Sequence, residues 1–185
     1  MTQILDARQD QYNKFQTFPL ASYNIIKYLI ANEDELWKIL KYTDPDAWDK
    51  SNLTMQEKAD LVYAGQPNET SFRVFNSVGM DNAWTVEACI LCVSPITLIP
   101  QNYVYGYMSI GFEVYSHYKI VSMSNYTNRL DYVTQRLIET LNGADIDGIG
   151  RLYFDYKAST ATKSIVIGAI PFKGRATIMC NYNLG

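Results

Sequence analysis

Trp84-Thr-Val-Glu-Ala-Cys-Ile-Leu-Cys-Val93 and Val104-Tyr-Gly-Tyr-Met-Ser-Ile-Gly-Phe-Glu-Val-Tyr-Ser-His-Tyr-Lys-Ile-Val121 read as two long β segments. Pro95-Ile-Thr-Leu-Ile-Pro100, bracketed by prolines, reads as the connection between them. Alternation in the first segment puts Trp84, Val86, Ala88, Ile90 and Cys92 on one face and Thr85, Glu87, Cys89, Leu91 and Val93 on the other. Both faces are largely apolar toward its end, so one helix can cover only one of them. In the second segment Val104, Met108, Ile110, Phe112, Val114 and Ile120 share a face. Tyr105, Tyr107, Glu113, Tyr115, His117 and Lys119 share the other. Eighteen residues at this pitch would span about 60 Å. That exceeds an ordinary strand and predicts a bend or bulge near Gly106 or Gly111, or a part that projects as a hairpin arm. From Val74 to Tyr118 there is no lysine or arginine. Exposed sheet edges usually carry such charges to discourage pairing with another chain. The stretch is therefore expected to be covered, by its own fold or by a partner.

Helices flank it. Residues 1–18 are polar with scattered Ile4, Leu5, Tyr12, Phe15 and Phe18, and read as an arm able to order on a partner. Ile25, Ile26, Leu29 and Ile30 give Leu20–Ala31 one apolar face. Asn32-Glu-Asp-Glu35 reads as a capping box before a helix over Glu33–Tyr42, and Thr54-Met-Gln-Glu57 as a second box before a helix ending near Gly65. Tyr126, Leu130, Val133, Leu137 and Leu141 form the stripe of a long amphipathic helix over Ser124–Asn142. Further strands are expected at Phe72–Asn76 and Arg151–Tyr156, with a final hairpin, Lys163–Phe172 and Arg175–Tyr182, turned at Lys173-Gly174. The expected class is α+β: an N-terminal cluster of short helices, then a mostly antiparallel sheet with one long amphipathic helix packed on it. The whole chain reads as a single domain, with an arm at 1–18, a helical part at 19–66 and a sheet-plus-helix part at 70–185.

Composition narrows the partners. Tyrosine is abundant, 15 residues against 7 Phe and 3 Trp, and tyrosine is enriched at interfaces. The net charge of −3 is opposite to that of a general nucleic-acid binder. The C-terminal end is basic, with Arg151, Lys157, Lys163, Lys173 and Arg175 against Asp155. That excess either faces an acidic partner or passing DNA, or solvates a sheet face. Three cysteines, Cys89, Cys92 and Cys180, are too few and too odd for a disulfide framework and suit a reducing compartment. No leader or membrane-spanning run is read, so a soluble protein made in the cytoplasm is expected.

No pattern carries catalysis convincingly. Cys89-Ile-Leu-Cys92 has redox or zinc spacing, but residues three apart on a strand point to opposite faces, and His117 is the only histidine. Asp145-Ile-Asp147-Gly148 begins like a calcium loop and lacks its later ligands, so it reads as a turn. Asp155-Tyr-Lys157 places a carboxylate and a lysine on one strand face, the arrangement of an Mg²⁺-dependent nuclease. No catalytic, cofactor or metal residue is assigned, and no cofactor is expected.

Two phrases carry a family likeness. Tyr28-Leu-Ile-Ala-Asn32, Leu36-Trp-Lys-Ile-Leu-Lys-Tyr42, Asp46-Ala-Trp48 and Leu53-Thr-Met-Gln-Glu-Lys58 resemble head–tail connector proteins of short-tailed phages, including the crAss-like ones. Asn128-Arg-Leu-Asp-Tyr132, Leu141-Asn-Gly143 and Gly148-Ile-Gly-Arg-Leu-Tyr-Phe154 resemble the helix-then-strand section of phage tail-completion proteins. The resemblance covers residues 20–156. It implies a structural virion protein, not an enzyme, forming a homo-oligomeric ring in the neck between portal or adaptor and tail proteins. DNA would pass through without sequence-specific binding, and no membrane is involved. The expected subunit or partner interface is Tyr103, Tyr105, Tyr107, Tyr115 and His117, with Leu91 and Val93. The alternatives are the nuclease using Asp155 and Lys157, and a binding module of another multi-protein assembly.

Overall fold

The stretch without lysine or arginine builds the centre of a mixed sheet. The computed structural model describes residues 18–76, 85–100, 106–146, 149–154, 164–167 and 170–184. Strands β2 (Cys89–Pro100) and β3 (Gly106–His117) pair antiparallel from Cys89↔Ser116 to Pro100↔Gly106. Strand β7 (Ile170–Leu184) lies along the other side of β3, from Gly106↔Leu184 to His117↔Phe172. The remaining strands are β1 (Val74–Phe75), β4 (Asp145–Ile146), β5 (Gly150–Phe154) and β6 (Ser164–Ile167). Their order is β1-β2-β3-β7-β5-β4, with β6 also on β7; only the β1–β2 pairing is parallel.

Three expectations are corrected here. First, Pro95–Pro100 is not a connection; β2 runs through it. Strand β1 reaches only Leu91 and Cys92, so beyond them the outer edge of β2 has no partner strand among the described residues. A proline's missing N–H costs no ladder bond on such an edge. The ladder passes from Pro95↔Ile110 to Thr97↔Ser109, leaving Ile96 as a bulge. Ile96 folds over Gly111, where a Cβ would stand 2.6 Å from its Cδ1. The irregularity expected at Gly111 therefore sits on the opposite strand, and Gly111 makes room for it. Second, β3 does not overhang, because β7 is as long and pairs along it. Third, the last hairpin is not turned at Lys173-Gly174: β7 runs through both, and β6 pairs with it from Ser164↔Lys173 to Ile167↔Ile170. Gly174 is instead the extra residue where Tyr115↔Arg175 gives way to Ser116↔Lys173.

Four α-helices are described, and all but the third supply apolar side chains to one core on one face of the sheet. They are α1 (Ala21–Asn32), α2 (Glu35–Lys41), α3 (Met55–Asp60) and α4 (Arg129–Leu141). Helix α2 is buried at Leu36, Trp37, Ile39 and Leu40, so it lies in the middle of the layer. Trp37 donates its indole N–H to Leu29 O at 3.0 Å. Helix α4 buries Leu130, Val133, Leu137 and Leu141 against the sheet, each contributing about 1.5–3 kcal/mol. It starts later than the periodicity suggests, because the Asn128 side-chain Oδ1 accepts from Asp131 N at 2.8 Å and caps it. The Thr54/Glu57 capping box forms as expected. The Asn32 box does not: Asn32 still belongs to α1, and Glu33 Oε1 accepts from Leu36 N at 3.0 Å instead.

Buried charges tie the layer together. Arg129 is fully buried and uses every guanidinium donor on a backbone carbonyl. Nε reaches Ile120 O; Nη1 reaches Ile39 O and Tyr42 O; Nη2 reaches Thr43 O and Asp44 O, all within 3.0 Å. Its charge also complements the negative end of α2. Lys58 gives its three protons to Ile30 O, Glu33 O and Asp34 Oδ1. Glu33 accepts from Arg136 Nε and Nη2 at 3.0 and 2.8 Å and from Thr140 at 2.9 Å, joining α4 to the α1–α2 junction.

Candidate interaction surface

Of the predicted interface residues, the four whose side chains are described do not form one surface. Leu91 and Val93 are fully buried beneath the helical layer. Tyr115 (3% exposed) lies on the opposite face in a second apolar cluster with Phe75, Ala88, Ile90 and Cys92. Tyr63, Phe72 and Val86 pack on that cluster. The chain between α3 and β1 thus covers the face that periodicity left without a partner. His117 (5% exposed) caps the 3-10 turn Tyr118–Ile120, its Nδ1 accepting from Lys119 N at 3.4 Å. Burial pushes its pKa down, against the pull of Glu87. Burial takes these four off the free surface of the subunit. Tyr103 and Tyr105 lie outside the described residues, as do Asp155 and Lys157 of the nuclease alternative. Tyr107 pairs through its backbone with Ile99, and its side chain lies outside the described set.

The apolar groups buried here are chemically quiet. Cys89 faces the helical core and Cys92 the second cluster, the opposite-face geometry that strand spacing requires. Burial pushes the Cys89 thiol up to about 11. Tyr115 donates its hydroxyl to Glu113 at 2.5 Å, and burial pushes its phenol up to about 12. Among the described residues no cluster of three or more His, Cys, Asp or Glu is placed to hold a metal ion. No described helix is long and apolar enough to cross a membrane.

Three exposed features remain. Ile96 and Ile99, 48% and 53% exposed, project from the unpaired stretch of β2. Pro95, beside them, helps to wall a groove of about 480 Å³ with Ser22, Ile26 and Ile30 of α1 and Val62 and Tyr63 after α3. The Ser22 hydroxyl there is shut off from solvent and has no hydrogen-bond partner. On the loop before α4, Tyr126 is fully exposed and has φ of 62°, in the left-handed region. Sequence reading placed Tyr126 in the core stripe of a helix. The Asn125-Tyr-Thr-Asn128 run, rich in residues that turn the chain on their own side chains, was the signal for a loop.

No curated protein matches this chain. A family model, YomW, matches residues 33–181, a span from the α1–α2 junction into β7. The chain therefore belongs to the YomW family, which is phage-derived.

Proposed function

We propose that the chain is a structural protein of the phage particle that assembles with copies of itself into a ring at the neck. The ring joins the portal or an adaptor to the tail proteins around the DNA channel. The observation that carries this reading is the outer edge of β2. Sheet edges facing water are normally blunted with charge, proline or a bulge; here Pro95, Pro100 and the Ile96 bulge discourage another strand but put no charge on the edge. This edge instead exposes two isoleucines beside an apolar groove. Membership of a phage-derived family supplies the setting. The net charge of −3 also suits a conduit that must not grip passing DNA.

The test is mass spectrometry and electron microscopy of purified particles. The chain should be present in a fixed copy number and located between head and tail. Its absence from mature particles would overturn the reading.

A further inference from the structure

Tyr126 is anomalous twice over. A bulky side chain at positive φ is strained, and Asn125 next to it would adopt that conformation more cheaply. Its ring is fully exposed, so the subunit gains no burial in return. The loop that carries it is nevertheless fixed. Ser124 donates to Pro45 O through both N (2.9 Å) and Oγ (3.2 Å). Met123 N donates to Thr127 O at 3.0 Å, and Thr127 N to Asn125 Oδ1 at 3.3 Å. The Trp48 indole donates to Ser124 Oγ at 3.1 Å. An exposed aromatic side chain on a backbone fixed in this way is suited to serve as a binding anchor.

The groove between α1, the end of α3 and Pro95 is its complement. It has apolar walls, room for an aromatic side chain and, among the described residues, Lys27 as its one charged neighbour. A buried hydroxyl without a partner is costly, and Ser22 supplies one on the floor. The groove and the Tyr126 loop share no residue. The loop is anchored on Pro45 and Trp48, beyond the end of α2, whereas the groove uses α1 and α3.

We propose that Tyr126 of one copy inserts into this groove on the next. The proposal rests on the self-assembling reading above and names the two surfaces involved. Because they are different patches, the contact is head-to-tail, the kind that closes into a ring when its rotation returns to the start.

The test is sedimentation velocity on the full chain, on Tyr126→Gly, on Ala64→Trp (which fills the groove), on a chain lacking residues 1–17, and on an equimolar mixture of the first two variants. Wild type and the truncated chain should assemble. Each single variant should self-associate at least tenfold more weakly. The mixture should form a 1:1 dimer and nothing larger, because it holds one intact anchor and one intact groove. Tyr126→Gly should also melt at a higher temperature as a monomer, since the strain is relieved, which separates lost assembly from lost folding.

If Tyr126→Gly assembles as wild type does, or if the mixture stays monomeric, the proposal is wrong. Loss of assembly on removing residues 1–17, with Tyr126→Gly unaffected, makes the arm the occupant and equally overturns it. A wild-type chain that is monomeric at every concentration removes the self-assembly reading as well.

Discussion

The helical layer and the outer edge of β2 solve opposite problems. In the helical layer every buried charge has found its partners inside the subunit. Arg129 is spent on five carbonyls, Lys58 on three acceptors, and Glu33 on Arg136, Thr140 and Leu36 N. Such networks link elements distant in sequence and favour one packing of the helices. At the edge of β2 the side chains are apolar and exposed, and the backbone groups have no strand partner among the described residues. The first region satisfies its charges within the subunit, and the second exposes apolar side chains at its surface. Mutations should therefore divide into those that unfold the chain and those that only separate its copies.

The largest effect is expected at Arg129. Arg129→Met leaves buried carbonyls without donors and removes the bolt between α2 and α4, costing about 3–5 kcal/mol. Urea unfolding would show the loss as a lower midpoint with an unchanged slope. A loss under about 1 kcal/mol would mean that the carbonyls find other donors and the helical layer is looser than it looks.

Glu33→Gln comes next, at about 1–3 kcal/mol near neutral pH. Burial alone would raise the Glu33 pKa, but Arg136, the Leu36 N–H and Thr140 hold it below the ordinary 4.5. A folded pKa below the unfolded one gives stability that is complete above 4.5 and lost as pH falls through the folded value. The gap between wild type and Glu33→Gln should therefore narrow on acidification. A gap that is constant with pH would show that charge is not what Glu33 contributes.

Gly111→Ala probes the boundary between the two regions. The new methyl group must push Ile96 aside, at about 1–2 kcal/mol. Because Ile96 is exposed and able to yield, Gly111→Ala combined with Ile96→Ala should recover most of that loss. The coupling would appear in a double-mutant cycle of thermal or urea unfolding. Additive losses would place the strain elsewhere. The smallest effect on folding belongs to Ile96→Lys and Ile99→Lys, within about 0.5 kcal/mol of wild type, while self-association weakens. If they unfold the subunit instead, the edge is part of its core.

Much of the architecture was legible because it follows from periodicity. The α4 stripe, the two faces of β3 from Met108 to Tyr115 and the Thr54/Glu57 capping box are local patterns, and each forms. What was not legible depends on contacts between distant segments. Nothing near Pro95 says that β1 ends early and leaves an edge where proline is harmless. Nothing near Ile90 or Tyr115 says that Tyr63 and Phe72 return to cover them. The same limit put four buried residues among the expected contacts. Leu91, Val93, Tyr115 and His117 are apolar or aromatic in a run without lysine or arginine, which describes a core as well as it describes a contact surface. Arg129 reads in sequence as one more polar position on a helix, because four of its five acceptors lie 85 to 90 residues away in α2 and the turn after it.

Hydrogen–deuterium exchange on dilute and concentrated protein tests the contrast most directly. Assembly should slow exchange along β2 from Ser94 to Pro100, in α1 beside the groove and in the loop around Tyr126. It should leave α2 and the α2–α4 contact unchanged, since these are already complete in the subunit. Protection that does not change with concentration, or that appears instead throughout the helical layer, would contradict the account.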